Sequence, residues 1–285
     1  MKTILITGIN GFLGGNLAKR FSKSYKIVGT EYSLENLTRI AQYGSKVYNA
    51  DIQTIQKLFS ENRIDIIIHT ATFYGRSQEE ICKVFEANLL LPFYLLDFAI
   101  RNKCELFINT DSSLERFTSN YSLTKKQFND WLYFRSNKIK AVNMQLEHFY
   151  GPGANDSNFV INMIRKLLRN EPQIDLTLGE QKRDFVYYED VLDAYELIIN
   201  SKNNMDNDFN HYEVGTGELI SIKNLMNLLK ELTDSSSILN FGAIPYRKNE
   251  LMQSDVNLGK MLELGWKPKI KIRNGLLKTI QEINK

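Results

Sequence analysis

The chain is 285 residues long, which at roughly 150 residues per domain predicts two domains or one large α/β unit. Hydrophobic residues make up 43% and charged residues 24%, which excludes wholesale disorder, collagen-like repeats and coiled-coil composition. The net charge of +3 is too slight and too dispersed for the basic face of a nucleic-acid binder, so any anionic ligand is held locally.

Short apolar runs at 3–7, 27–29, 64–69, 105–109 and 139–144 alternate with longer, helix-compatible stretches. Strand then helix, repeated, predicts an α/β fold with a doubly wound parallel sheet covered on both faces. Ile64, Ile66, Ile67 and Ile68 form a nearly continuous apolar run, the pattern of a strand buried on both sides, which places it centrally. After residue 150 the loop cluster GPGANDSN opens a second region, with helical periodicity over 159–169, a turn-rich stretch EPQIDLTLGEQ and a polar surface loop over 201–210. A later strand near 211–215 is expected to rejoin the sheet. No apolar run approaches the roughly 20 residues of a membrane span, and the opening segment lacks a signal-peptide pattern; a soluble, cytoplasmic protein with no membrane partner is expected. Cys82 and Cys104 lack metal-site spacing and read as reduced packing residues, and no metal is expected.

The most informative local motif is TGINGFLG, with Gly8, Gly11 and Gly14 directly after the first strand and at the start of an amphipathic helix. Such glycines let backbone approach a pyrophosphate, whose charge then sits on the amides and positive dipole of a helix N-terminus. The spacing G-x-x-G-x-x-G departs from the best-known dinucleotide fingerprint, and an ordinary strand-to-helix turn has the same composition. Glu31, 23 residues beyond Gly8 at the end of the second strand, suits hydrogen bonding to an adenosine ribose, or else is a solvated surface carboxylate. In YSLTK, a helix would bring Tyr121 and Lys125 onto one face, where the ammonium favours the phenolate and lowers the tyrosine pKa. Thr110 lies 11 residues upstream at the end of a strand, where ligands of open α/β sheets bind.

Together these residues resemble the extended short-chain dehydrogenases/reductases, the branch of nucleotide-sugar epimerases, dehydratases and reductases. In that resemblance the loop from Gly8 through Asn10, Gly11, Phe12 and Leu13 to Gly14 binds the cofactor, with Glu31, the adenine-contacting pair Asp51 and Ile52, and Thr70 and Ala71 beneath it. Thr110, Tyr121 and Lys125 match the catalytic triad, and Tyr150-Gly151-Pro152, Arg183-Asp184-Phe185-Val186 and Leu264-Gly265-Trp266-Lys267-Pro268 match signatures of the extended branch. Arg183 and Arg247 match positions that hold the sugar-nucleotide diphosphate; Tyr74, Arg76, Asp111, Ser112 and His148 are the remaining candidates for substrate contact. The branch usually has about twice the residues between its Ser/Thr and its Tyr. Its 4,6-dehydratases carry Thr-Asp-Glu, whereas this chain reads Thr110-Asp111-Ser112, so the base for water elimination is missing. The stretch from Asn109 to Phe128 looks most like the bacterial CDP-deoxyhexose 4-reductases, the CDP-paratose and CDP-abequose synthases of O-antigen pathways.

The resemblance implies reduction of the C4 ketone of a nucleotide-linked 4-keto-deoxysugar, with NAD-dependent 4-epimerisation as the alternative and a non-catalytic dinucleotide sensor behind it. It implies a dinucleotide-binding domain over 1–148 and about 184–217, and a nucleotide-sugar domain over 149–183 and 218–285 closing a cleft. The cofactor is NADP(H) or NAD(H): Glu31 argues for NAD, and the reductases' pathway tips the expectation toward NADP. A homodimer is implied through helices near 84–102 and 121–136, both rich in Phe, Tyr and Leu.

Overall fold

The computed structural model describes residues 1–43, 45–75, 81–205, 208–247 and 250–285. Backbone contacts divide the chain into two compact units, one of residues 1–145 and 198–212, the other of 146–197 and 213–285.

In the first, β1 (Thr3–Thr7), α1 (Phe12–Phe21), β2 (Lys26–Glu31), β3 (Lys46–Asn49), α2 (Ile52–Glu61) and β4 (Ile66–His69) follow in order. Helix α3 (Ile81–Phe85) runs through a π-helical stretch, Glu86–Leu90, into α4 (Leu91–Arg101), followed by β5 (Leu106–Ser112), α5 (Asn120–Arg135) and β6 (Lys140–Leu146). The second unit continues through β7 (His148–Tyr150), α6 (Phe159–Leu168), β8 (Gln173–Leu176), β9 (Lys182–Tyr187) and α7 (Tyr188–Ser201). Strand β10 (Phe209–Val214) rejoins the large sheet, and β11 (Leu219–Ser221), α8 (Ile222–Thr233), β12 (Ile238–Phe241), α9 (Gly259–Glu263) and α10 (Ile272–Ile283) complete the chain.

The large sheet has seven strands in the order β10-β6-β5-β4-β1-β2-β3, and β5, β4, β1, β2 and β3 pair in parallel. From β1 the chain winds outward to β2 and β3, then returns to β4 and winds the other way. This is the Rossmann-like doubly wound sheet expected from the alternation, and the winding reverses between β1 and β4. Strand β4 is central and its Ile66, Ile67 and Ile68 are wholly buried. One face of the sheet buries Leu5, Val28, Ile67 and Phe107 against Ile55 and Leu58 of α2, Leu95 and Leu96 of α4, and Phe128 and Leu132 of α5.

The sequence did not reveal β3, a four-residue edge strand that is exposed at both ends and carries no apolar run. Nor did it reveal β8, whose burial alternates strictly within the stretch read as turns. Cys104 is buried, as expected, but Cys82 is exposed on α3 rather than packed.

In the second unit β7, β9 and β11 form a three-stranded sheet and β8 pairs with β12. Ile164, Leu225, Leu229 and Leu276 of α6, α8 and α10 pack with Tyr150 and Phe185 around one core. Within Leu264–Pro268, the Trp266 indole donates to the Asp190 carbonyl at 3.1 Å, and the Asp190 carboxylate accepts from the amides of Lys269 and Ile270. That signature thus fastens the segment entering α10 to α7.

Candidate active site

The glycine loop lies where the winding reverses, the position at which open α/β sheets take ligands. Gly8 holds φ +61°, and a Cβ on Gly14 would fall 2.2 Å from the Gly8 carbonyl oxygen, so neither position accepts a side chain without rebuilding the turn. Gly11 is the N-cap of α1 and no side chain caps that helix, which leaves its N-terminus suited to an anion. The Thr7 hydroxyl accepts from the amides of Thr70 and Ala71 at 3.1 Å each and bonds His69 Nδ1 at 2.8 Å, drawing the segment after β4 against the loop. A Cβ on Gly8 would lie 2.9 Å from Ala71 Cα, so the expected cofactor floor and glycine turn are in contact.

Glu31 accepts from the Asn10 amide at 2.9 Å and the Tyr32 amide at 3.1 Å, fixing a carboxylate at the rim of the loop. A recess beside it is lined by Tyr32, Ser33, Leu34, Glu35 and Asn49. The Arg39 stem packs over Gly15, and its guanidinium pKa is lowered by burial. Asp51 caps α2: both its oxygens accept from Thr54, bonds that hold its carboxyl below the usual range, and Ile52 beside it is exposed. The cradle's shape and donor set therefore fit a dinucleotide.

Helix α5 starts with a capping box: Ser119 Oγ accepts from the Ser122 amide at 3.1 Å, and Ser122 Oγ accepts from the Ser119 amide at 3.0 Å. This start puts Tyr121 in the first turn and Lys125 one turn on, on the buried face. Strand alternation puts Thr110 and Ser112 on one face of β5 and Asp111 on the other. The Tyr121 ring lies 4.9 Å from that of Tyr74. Burial pushes the phenol well above its ordinary pKa, with Tyr74 and the Asp111 charge adding to the rise and hydrogen bonds to Ser112 and Thr72 opposing it. The Tyr121 pKa is therefore raised, not lowered as its spacing from Lys125 led one to expect, because burial of the phenol dominates. Lys125 is itself buried, and desolvation pushes its ammonium down to about 8, with Asp111 raising it and Lys126 lowering it further. His69, buried beneath, is held neutral by burial and by the Lys125 charge.

Asn88 and Lys126 were not foreseen. Asn88, in the π-helical stretch, accepts from the Phe73 amide and donates to the Phe73 carbonyl, both at 2.8 Å, and so fixes the loop carrying Thr72 and Tyr74. No sequence signal marks it, because its role depends on an irregular helix turn. Lys126 holds the Asp111 carboxylate at 2.9 Å.

Arg76 falls outside the described residues. In the second unit, Arg183 is paired with Glu250 at 2.6 Å and donates to the Lys182 carbonyl; its pKa is lowered by burial despite the opposing charge of Glu250. Arg247 is exposed, and its carbonyl accepts from the Glu250 amide. His148 lies 3.4 Å from the Glu147 carboxylate and packs on the Phe185 ring. Among the described residues no cluster of metal-ligating side chains is found, and no helix is long and apolar enough to cross a membrane.

Residues 4–215 match the profile described as the NAD dependent epimerase/dehydratase family. The chain is similar to a CDP-abequose synthase of Salmonella typhimurium, 32% identical over 98% of each chain. It is more distantly similar, at 24% identity over 98% of this chain and 97% of the relative, to a dTDP-4-dehydro-6-deoxyglucose reductase of Escherichia coli. Among solved structures, a Thermotoga maritima UDP-glucose 4-epimerase with UDP-glucose superposes with a TM-score of 0.87 at 22% identity, over 99% of this chain and 98% of that one. A Thermus thermophilus UDP-glucose 4-epimerase in complex with NAD does so with a TM-score of 0.87 at 20% identity, over 99% of each. The motifs quoted above and a family match spanning most of the chain agree: the protein belongs to the NAD dependent epimerase/dehydratase family.

Proposed function

We propose that the protein reduces the C4 ketone of a nucleotide-linked 4-keto-deoxysugar, CDP-linked, in the synthesis of O-antigen or another surface polysaccharide. The observation that carries the reading is the Tyr121 phenol, buried, hydrogen-bonded to Ser112 and one helix turn before the buried Lys125. Reduction builds negative charge on the carbonyl oxygen, which then needs a hydrogen-bond donor and a proton. Thr110 supplies the donor, Tyr121 delivers the proton, and the Lys125 ammonium steadies the resulting phenolate. A reduced nicotinamide dinucleotide, its pyrophosphate held by the glycine loop, would supply the hydride. Elimination of water would need a further base, and Ser112 stands where a dehydratase carries a carboxylate. The similarity to a CDP-abequose synthase supports the nucleobase and the sugar class.

Glu31, fixed at the loop rim, favours a free ribose hydroxyl and hence NADH, whereas the resemblance to 4-reductases favours NADPH; the resemblance carries our preference. Arg183 and Arg247 are assigned to the diphosphate, and Tyr74 to the sugar. The exposed apolar side chains Ile81, Phe85, Trp131, Tyr133 and Phe134 of α3 and α5 support a homodimer. Nucleotide sugars and reduced nicotinamides are found in the cytoplasm, which supports a cytoplasmic reaction.

The test mixes the protein with CDP-4-keto-3,6-dideoxyglucose and NADPH or NADH, following reduced-cofactor absorbance and the sugar by NMR. Stoichiometric oxidation with a new C4 hydroxyl is expected. Interconversion of C4 epimers of a nucleotide hexose without net oxidation would contradict the reading and establish the epimerase.

A further inference from the structure

Beside the proton-donating centre lies a buried polar assembly that the reaction does not use directly. Lys126 Nζ has three protons and three acceptors: Asp111 Oδ2 at 2.9 Å, the Ser112 carbonyl at 2.7 Å and Gln145 Oε1 at 3.1 Å. The Asp111 carboxylate is equally occupied, its Oδ1 accepting from the Ser112 amide at 2.8 Å and its Oδ2 also from Asn143 Nδ2 at 3.2 Å. Asn143 is anchored in turn by Asn109 at 2.7 Å and lies against His211 Nδ1 at 3.1 Å. The aspartate side chain is 0% exposed and the lysine 16%, so bulk solvent does not reach the carboxylate. Stability alone is a weak reason to bury such a pair, since a packed apolar pair serves as well. What this one fixes is more specific. It binds the Ser112 backbone through both its amide and its carbonyl, and Ser112 is a hydrogen-bond partner of Tyr121.

Accepting the assignment of Tyr121 and Lys125 to the reductive centre, we propose that Asp111 and Lys126 are a positioning pair for it. The pair holds Ser112 against Tyr121, balances the charge around Lys125, and keeps the Asp111 carboxylate out of acid–base chemistry. Asp111 thus acts through its neighbours instead of touching the sugar. The groups around Lys125 set the sign of each effect. Asp111 on β5 favours its charged form, while Lys126 beside it disfavours that form. His69 on β4 is neutral, and Tyr121 and Tyr74 are phenols. The π-helical stretch packed on α5 offers the uncharged Asn88, its Glu86 being exposed, as is Lys83 of α3; β6 and β10 contribute Gln145, Asn143 and His211 through the network.

The test is an NMR titration of Lys125 in protein labelled with 13C-lysine, assigned by the resonance lost in Lys125→Met, which needs no substrate. Asp111→Asn is expected to move the titration down by about one pH unit and Lys126→Met to move it up by a similar amount. The double variant should return it close to the wild-type midpoint, and Lys126→Arg should preserve it. A merely structural pair would not give shifts of opposite sign that cancel. Unmoved midpoints, or two single variants moving it the same way, would overturn the proposal. If Lys126→Met does not fold, Asp111→Asn compared with the double variant gives the same decision. In the reductase assay, the alkaline limb of the kcat/KM profile should follow the same signs. The NMR shifts without any ketone reduction would refute the proposed function and leave the pair standing.

Discussion

At the scale of single residues, burial decides the chemistry. Tyr121→Phe removes the proton donor but keeps the ring on Tyr74, so kcat should fall about 10² to 10⁴-fold with thermal stability nearly unchanged. An unaltered rate would remove Tyr121 from the reaction. Lys125 shows the opposing cost. Its ammonium is depressed from an ordinary 10.5 to about 8, so between those values the unfolded chain binds more protons than the folded one and stability rises with pH. Below pH 8 the buried charge is a full penalty, of order 3 kcal/mol. Lys125→Met should therefore raise stability at pH 7 by up to that amount, with the gain shrinking as pH approaches 10, while activity is lost; denaturant melts at the two pH values check it. What is local was legible in advance: that a side chain at Gly8 or Gly14 has no room, and that Tyr121 and Lys125 share one helix face. Asn88 and Lys126 were not, because their partners, Phe73 and Asp111, are brought to them only by tertiary packing.

At the scale of elements, the site is made where strand ends meet helix starts. The glycine turn closes on the segment after β4, so Gly14→Ala, whose added carbon would fall 2.2 Å from the Gly8 carbonyl, should weaken dinucleotide binding at least tenfold, about 1.4 kcal/mol. Isothermal titration with NADH and NADPH measures it, and wild-type affinity would show that the dinucleotide binds elsewhere. The end of β2 governs the second choice. Glu31→Gln keeps an acceptor but removes the charge that opposes a 2′-phosphate, and should move the NADPH-to-NADH affinity ratio toward NADPH by about tenfold. No change in the ratio would mean that the ribose lies away from Glu31. The alternation of elements revealed the doubly wound sheet because its buried strands are continuous apolar runs. The edge pieces β3 and β8 are short and half-exposed, so their pattern resembled a loop.

At the scale of the whole molecule, the proposed site residues divide between the units, the glycine loop, Thr110, Tyr121 and Lys125 in the first and Arg183, Arg247 and His148 in the second. Family motifs spread over the full length made the family readable. The pairing of Arg183 with Glu250 was not readable, because 67 residues separate the partners. The apolar side chains exposed on α3 and α5 predict a homodimer; light scattering at micromolar concentration should give twice the 33.1 kDa of one chain, and a monomer would leave that face without its assigned partner. Hydride delivery to a sugar ketone is tested most directly by isotope transfer. Reduced nicotinamide carrying deuterium at the transferable position, incubated with the CDP-linked 4-keto sugar, should yield one deuterium at C4 of the product for each cofactor oxidised. Deuterium retained in the cofactor while C4 epimers of a nucleotide sugar interconvert would contradict the account.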